Sequence, residues 1–200
     1  MRILQSIPPI GVILIAMALA CCSTQHSDEL ALRSEFEIPR GAAVTSYETH
    51  PKEPGWFGRE GLKVDIVFQL NDDDFRHYAT KSSTVTQWRP LPIPEEFLRR
   101  MAAIETTKRS LVESYERRGE VPPAEGSVYN PTEQQMLDRF LKSLPPQPSH
   151  GLFQIRTAGD NIMHAPKSLY DKPDRDLNDF MLAMLDTDRK QIIIKVSTGY

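Results

Sequence analysis

Two apolar runs near the C-terminus set the fold class: FMLAML at Phe180–Leu185 and QIIIKV at Gln191–Val196. The polar stretch Asp186–Lys190 separates them. Two runs of equal length joined by five polar residues are typical of a β-hairpin. The first run also suits a buried helix, because leucine, methionine and alanine are good helix formers. The matched lengths of the two runs favour the hairpin.

Further strands are predicted upstream of this hairpin. Apolar and mainly polar residues alternate over Leu62–Leu70, and a period of two indicates a strand with one buried face. A short strand is expected at Leu152–Arg156, and an edge strand at Ala42–Tyr47.

Three helices are predicted between the strands. A short helix runs from an N-cap at Asn71 to about Lys81. A long helix runs from Pro94, at its first position, to a glycine C-cap at Gly119, with apolar residues recurring at helical spacing. A third begins with a sequence similar to a capping box at Asn130–Glu133 and stops at Pro145–Pro146.

These elements predict an α+β fold. We expect a mixed, mainly antiparallel sheet, two or three helices packed on one of its faces, and a C-terminal β-hairpin. Because helices lie between strands in the sequence, a parallel βαβ pair stays open as an alternative.

Length and composition limit the classes of protein to which this chain can belong. The chain has 200 residues, of which 40% are hydrophobic and 26% charged, as in an ordinary globular protein. Its formal net charge is −3, which provides no overall basic field. A nucleic-acid partner held mainly by phosphate attraction is therefore not expected.

The N-terminus has the pattern of an export signal. Arg2 supplies a positive charge, and Ile10–Cys22 follows without a charged residue. A membrane-spanning helix needs about 20 apolar residues. This run is shorter, and Pro8–Pro9 disfavours helix upstream of it. A cleaved signal peptide fits better than a permanent span.

The end of this run, Ala18–Ser23, resembles the lipobox of bacterial lipoproteins, in which aliphatic and small residues precede a cysteine. The resemblance implies cleavage just before the cysteine, a diacylglyceryl group on its sulfur and, usually, an acyl chain on the new amino group. Cys21 is the expected lipidation site, because small Ala20 precedes it. Cys22 is the alternative, with Leu19 in the favoured place.

The same resemblance predicts location and domain organisation. Neither register places an aspartate after the cysteine, and in Gram-negative bacteria that pattern implies the periplasmic face of the outer membrane. We expect a signal peptide over 1–20, a lipidated N-terminus and flexible tether over 21–35, and one α+β domain over 36–200. Both cysteines lie at the junction, so Ser23–Tyr200 holds no disulfide or thiolate site.

Few residues in the sequence are candidates for catalysis or metal binding. His164 follows Asp160 in a turn-rich loop, where the carboxylate can orient the imidazole as a general base. The competing interpretation is that Asp160 and its neighbour Asn161 hydrogen-bond the turn backbone.

A second candidate is a partial calcium-loop pattern. Asp174, Asp176 and Asn178 match its first three ligand positions, but Asp179 replaces the required glycine and Leu185 the bidentate glutamate. A solvated connecting loop is therefore expected, with no metal or cofactor. Four aromatic residues in loops are candidates for recognition or for pinning those loops to the core: Trp56, Trp88, Tyr129 and Tyr170.

The sequence thus predicts a lipid-anchored protein with a non-enzymatic binding or envelope-assembly domain. The expected partners are the membrane, through the covalent anchor, and a protein of the envelope. One alternative is a tethered periplasmic hydrolase or metal-dependent enzyme that uses His164, Asp160 and the Asp174–Asn178 loop. Another is an inhibitor or immunity-type lipoprotein.

Overall fold

The structure, a computed structural model, describes residues 25–49, 63–157 and 180–197. The chain forms two compact units, residues 1–40 and 41–200. The signal peptide predicted over 1–20, with Cys21 and Cys22, lies outside the described residues. None of the described helices is long and apolar enough to cross a bilayer.

Residues 25–36 of the first unit form helix α1. Arg33 contacts the carboxylate of Glu29 one turn earlier at 2.7 Å, and Leu32 and Phe36 are buried at the same spacing. The prediction of a segment without regular structure over 21–35 is therefore wrong for residues 25–35. The overall polarity of the segment concealed these i, i+4 pairs, each of which contributes about 0.2–0.5 kcal/mol to a helix.

The second unit contains a six-stranded sheet in the order β1-β2-β6-β5-β4-β3. Every neighbouring pair is antiparallel, which confirms the α+β class with a mainly antiparallel sheet and a C-terminal hairpin. The edge position of β1 is also confirmed. The strands are β1 Ala43–Thr49, β2 Lys63–Gln69, β3 Arg89–Pro90, β4 Gly151–Thr157, β5 Phe180–Asp186 and β6 Gln191–Ser197.

The hairpin formed by β5 and β6 lies in the middle of this sheet. All seven residues of β5 are buried, and the alternative of a helix at this position is wrong. The connection is one residue shorter than predicted, because Asp186 is the last residue of β5. Its buried side chain accepts hydrogen bonds from the backbone N–H groups of Asp188 and Arg189, both at 2.9 Å, and so orders the turn.

The described part of the second unit also contains four helices, and two of them begin at side-chain caps. Asn71 accepts a 2.8 Å hydrogen bond from the backbone of Asp74, as an N-cap should. Thr132 and Gln135 form a reciprocal capping box, so the N-cap of this helix lies two residues after the start predicted at Asn130. The helices are α2 Asp72–Thr84, α3 Glu95–Met101, α4 Ile104–Arg118 and α5 Glu133–Ser143.

The prediction of a single long helix from Pro94 to Gly119 is wrong. Ala103 has a left-handed backbone (φ 50°), which ends α3 and makes α4 a separate helix. Met101 and Ile104 are both buried in the same core, so the apolar spacing continues across the break and conceals it. Gly119 is the left-handed C-cap of α4, as predicted, whereas Pro94 is the N-cap of α3, one position before the first helical position predicted for it.

Helices α3 and α5, with the first turn of α4, pack on one face of the sheet, in agreement with the predicted arrangement. Edge-to-face ring contacts join Phe97 to Phe153 and Phe140 to Phe180, at centroid distances of 6.2 and 6.0 Å. The buried cluster on this face is Ile93, Phe97, Leu98, Met101, Ile104, Leu137, Phe153, Ile155, Phe180, Leu182 and Met184.

Candidate functional site

The residues predicted to carry chemistry lie outside the described part of the chain. This applies to His164 and Asp160, to the Asp174–Asn178 loop with Asp174, Asp176 and Asn178, and to both cysteines. Within residues 25–49, 63–157 and 180–197, no group of three or more His, Cys, Asp or Glu side chains could hold a metal ion. These site predictions stay predictions.

The two loop aromatics that the structure describes have different roles. Trp88 lies edge-on to the buried ring of Tyr78, with a centroid distance of 6.1 Å, and so pins its loop. Tyr129 is 74% exposed and therefore does not pin its loop. Of the recognition candidates, Trp56 and Tyr170 lie outside the described residues.

Tyr129 belongs to a group of exposed apolar side chains in the loop between α4 and α5. Val121 is 89% exposed and Val128 is 79% exposed. We call Val121, Val128 and Tyr129 the apolar tip. Displaying such side chains to water is unfavourable, because burying a valine or larger side chain contributes about 1.5–3 kcal/mol.

The loop that carries the apolar tip is ordered by hydrogen bonds around Asn130. The side-chain amide of Asn130 donates to the carbonyl oxygen of Pro123 at 2.7 Å, and the backbone N–H of Gly126 donates to the carbonyl oxygen of Asn130 at 2.7 Å. Ser127 and Asn130 also form an isolated β-bridge. Val121 and Val128 each lie two residues from one end of the Pro123–Asn130 hydrogen bond.

Charges near the apolar tip are neutralised within the chain. Lys108 of α4 contacts the carboxylate of Glu125 at 2.8 Å. Arg118, at the end of the same helix, contacts Glu120 at 2.9 Å and lies over the ring of Tyr115. The two carboxylates of the loop are thus paired with cations of α4. Glu120 and Glu125 stay exposed themselves, so paired charges surround the apolar tip, which is the pattern of an apolar interface centre with a polar rim.

A second candidate feature is a contact between a histidine and an aspartate that lie far apart in the sequence. Nδ1 of His150, just before β4, lies 3.0 Å from the carboxylate of Asp188 in the hairpin turn, and both side chains are exposed. The hydrogen bond that the His150 ring donates to Asp188, and then the negative charge of that carboxylate, raise the pKa of His150 above its ordinary 6.5. The pairing of β4 with β5 creates this contact, so sequence spacing gave no signal for it.

Comparison with known proteins identifies no family for this arrangement. No family model matches the chain, no curated protein is significantly similar to it, and no solved structure matches its fold.

Proposed function

We propose that this chain is a bacterial lipoprotein that is anchored in the cell envelope through Cys21 and binds a partner protein there through the apolar tip. The lipobox-like sequence Ala18–Ser23 supports the anchor, with Cys22 as the other possible site of acylation. Two or three acyl chains hold a protein on a membrane without other hydrophobic surface. The absence of an aspartate after the cysteine favours the periplasmic face of the outer membrane.

The exposure of the apolar tip is the observation that carries the binding function. Val121, Val128 and Tyr129 are all exposed on one loop that hydrogen bonds order, and this supports a protein–protein contact site there. Tyrosine is among the residues that most often dominate binding energy, because its ring buries a large area at a low cost in entropy. An ordered loop also loses little conformational freedom on binding.

The chemistry of the apolar tip indicates what kind of surface it fits. Its valine and tyrosine side chains carry no charge, and the neighbouring carboxylates of Glu120 and Glu125 are paired within the chain. A complementary surface is an apolar recess on another protein, and a strongly charged surface or a nucleic acid fits poorly. The same geometry favours the inhibitor-type alternative as a second candidate, in which that recess is the active-site cleft of an envelope enzyme.

Photo-crosslinking in living cells tests this function. A photoreactive phenylalanine analogue replaces Tyr129 in the full lipidated chain, and the matched control places it at exposed Gln134 on α5. We expect one crosslinked adduct with a partner protein that forms when the analogue is at position 129 and does not form when it is at position 134. The purified partner should then bind the wild-type chain and lose about 30-fold in affinity with Val128→Ser, as for a residue at the centre of an interface. Equal adducts at both positions, or unchanged affinity, would contradict the proposal.

A further inference from the structure

One lysine side chain joins helix α4 to the loop that carries the apolar tip. Nζ of Lys108 lies 2.8 Å from a carboxylate oxygen of Glu125 and 3.4 Å from Oδ1 of Asn130. An ammonium group has three donors, so a single lysine can make both contacts. The side chain of Lys108 is only 23% exposed. This lysine is therefore largely withdrawn from water and occupied by the loop.

The loop also has backbone hydrogen bonds of its own, which give it a shape without attaching it to α4. The backbone N–H of Gly126, for example, donates to the carbonyl oxygen of Asn130 at 2.7 Å. Among the described side chains of α4, that of Lys108 alone hydrogen-bonds to residues 121–130. Lys108 is thus the polar link between this helix and the loop.

This link is ionic, whereas the apolar tip carries no charge. The side chain of Glu125 is 63% exposed, so dissolved salt screens its attraction to Lys108. The side chains of Val128 and Tyr129 offer no charge on which salt could act. A contact that depended on the apolar tip alone should therefore respond little to salt, while a loop held by Lys108 should loosen as the salt concentration rises.

We propose that Lys108 is the positioning residue of the apolar tip, because its ammonium holds the loop in the arrangement that the partner binds. This inference rests on the proposed function of the apolar tip and adds a means of regulation to it. The affinity that a partner experiences is reduced by the fraction of chains whose loop is not held. Salt should thus weaken a contact whose own side chains are uncharged.

Three variants separate the contacts of this link. Lys108→Met keeps a side chain of similar length and removes the ammonium, so both contacts are lost. Glu125→Gln removes the ion pair and leaves the contact between Lys108 and Asn130. Lys142→Met makes the same charge change at an exposed position in the last turn of α5 and is the control.

Hydrogen exchange in the free full chain, held in a non-ionic detergent, is the first measurement. Relative to the amides of β6, we expect the amide of Gly126 to exchange about threefold to fivefold faster in Lys108→Met, and the increase to be smaller in Glu125→Gln. The wild-type chain should show a similar increase as salt rises from about 0.01 M to about 1 M, because the screening length falls from about 30 Å to about 3 Å. Lys108→Met should lose this salt dependence, and Lys142→Met should keep it.

The second measurement is the binding kinetics of the partner that crosslinks at position 129. Lys108→Met should slow association about threefold to fivefold, because fewer chains hold the loop ready to bind. Dissociation should stay nearly unchanged, since the apolar tip makes the same contacts in the complex. Damage to the apolar tip itself would instead speed dissociation.

The outcomes distinguish this inference from the proposed function. Unchanged exchange at Gly126 in Lys108→Met, or an equal salt dependence in that variant and the wild type, would overturn the positioning role. Faster dissociation with unchanged association would overturn it as well. Faster exchange in Lys108→Met without any adduct at position 129 would support the positioning role and contradict the proposed function.

Discussion

The side-chain amide of Asn130 donates a 2.7 Å hydrogen bond to the carbonyl oxygen of Pro123, seven residues earlier. This contact closes the loop between α4 and α5. On its other side, Oδ1 of Asn130 lies 3.4 Å from the ammonium of Lys108. One side chain thus connects both ends of the loop to α4, next to exposed Val128 and Tyr129.

Replacing Asn130 should loosen the loop without disturbing the sheet. Asn130→Ala removes the hydrogen bond to Pro123, at a cost of about 1 kcal/mol in the free energy of unfolding. Hydrogen exchange should become faster at the backbone amides of Gly126 and Asn130, while exchange in β5 and β6 stays slow. Gln134→Ala, which removes an exposed hydrogen bond to Asp138, is the control. Unchanged exchange at Gly126 in Asn130→Ala would show that the backbone orders the loop alone.

The ion pair between Asp65 and Lys195 should respond unequally to loss of its two members. Asp65→Asn leaves the buried ammonium of Lys195 without its counterion and should cost about 2 kcal/mol. Lys195→Met leaves a carboxylate that water reaches, and should cost about 1 kcal/mol or less. Urea unfolding measures both changes. A larger loss in Lys195→Met would contradict the burial of the lysine.

The contact between His150 and Asp188 predicts a pH-dependent stability. Because the folded pKa of His150 is raised, its contribution to stability is fully present below 6.5 and is lost as pH rises through the raised value. Asp188→Asn should lower the His150 pKa in an NMR titration. It should also reduce the urea midpoint more at about pH 6 than at about pH 8. Asp138→Asn, on the surface of α5, is the control, and a uniform reduction across that range would refute the coupling.

Two glycines with positive φ should differ sharply in their tolerance of a side chain. A Cβ at Gly119 (φ 67°) meets nothing within 4 Å, so Gly119→Ala should cost only the left-handed backbone strain, about 1 kcal/mol. A Cβ at Gly151 (φ 147°) falls 1.8 Å from the carbonyl oxygen of Leu185. Gly151→Ala should therefore cost about 3 kcal/mol or more. Equal urea midpoints for the two variants would contradict this assignment.

Local signals in the sequence predicted most of the fold. The alternation in β2, the matched runs of β5 and β6, and the caps at Asn71 and Gly119 each act over a few residues. The strand order, in contrast, joins segments that are far apart in sequence. No local pattern shows that β2 pairs with β6.

The predictions that the structure contradicts also failed for physical reasons. The break at Ala103 does not interrupt the apolar spacing, because residues on both sides of it enter one core. Helix α1 is mainly polar and was predicted as a tether. For the site, an exposed loop between α4 and α5 was predictable from its prolines and glycine. The exposure of Tyr129 was not, because a tyrosine in a loop has the same sequence signature whether it is buried or displayed.

We propose that acyl chains on Cys21 hold this protein on a membrane. Intact-mass analysis of the chain extracted from membranes tests it most directly. The account predicts a polypeptide that begins at Cys21 and carries a diacylglyceryl group and an additional acyl chain, and release into the soluble fraction when both cysteines are replaced by serine. A mature chain without acyl groups, or unchanged membrane association in the double-serine variant, would contradict it.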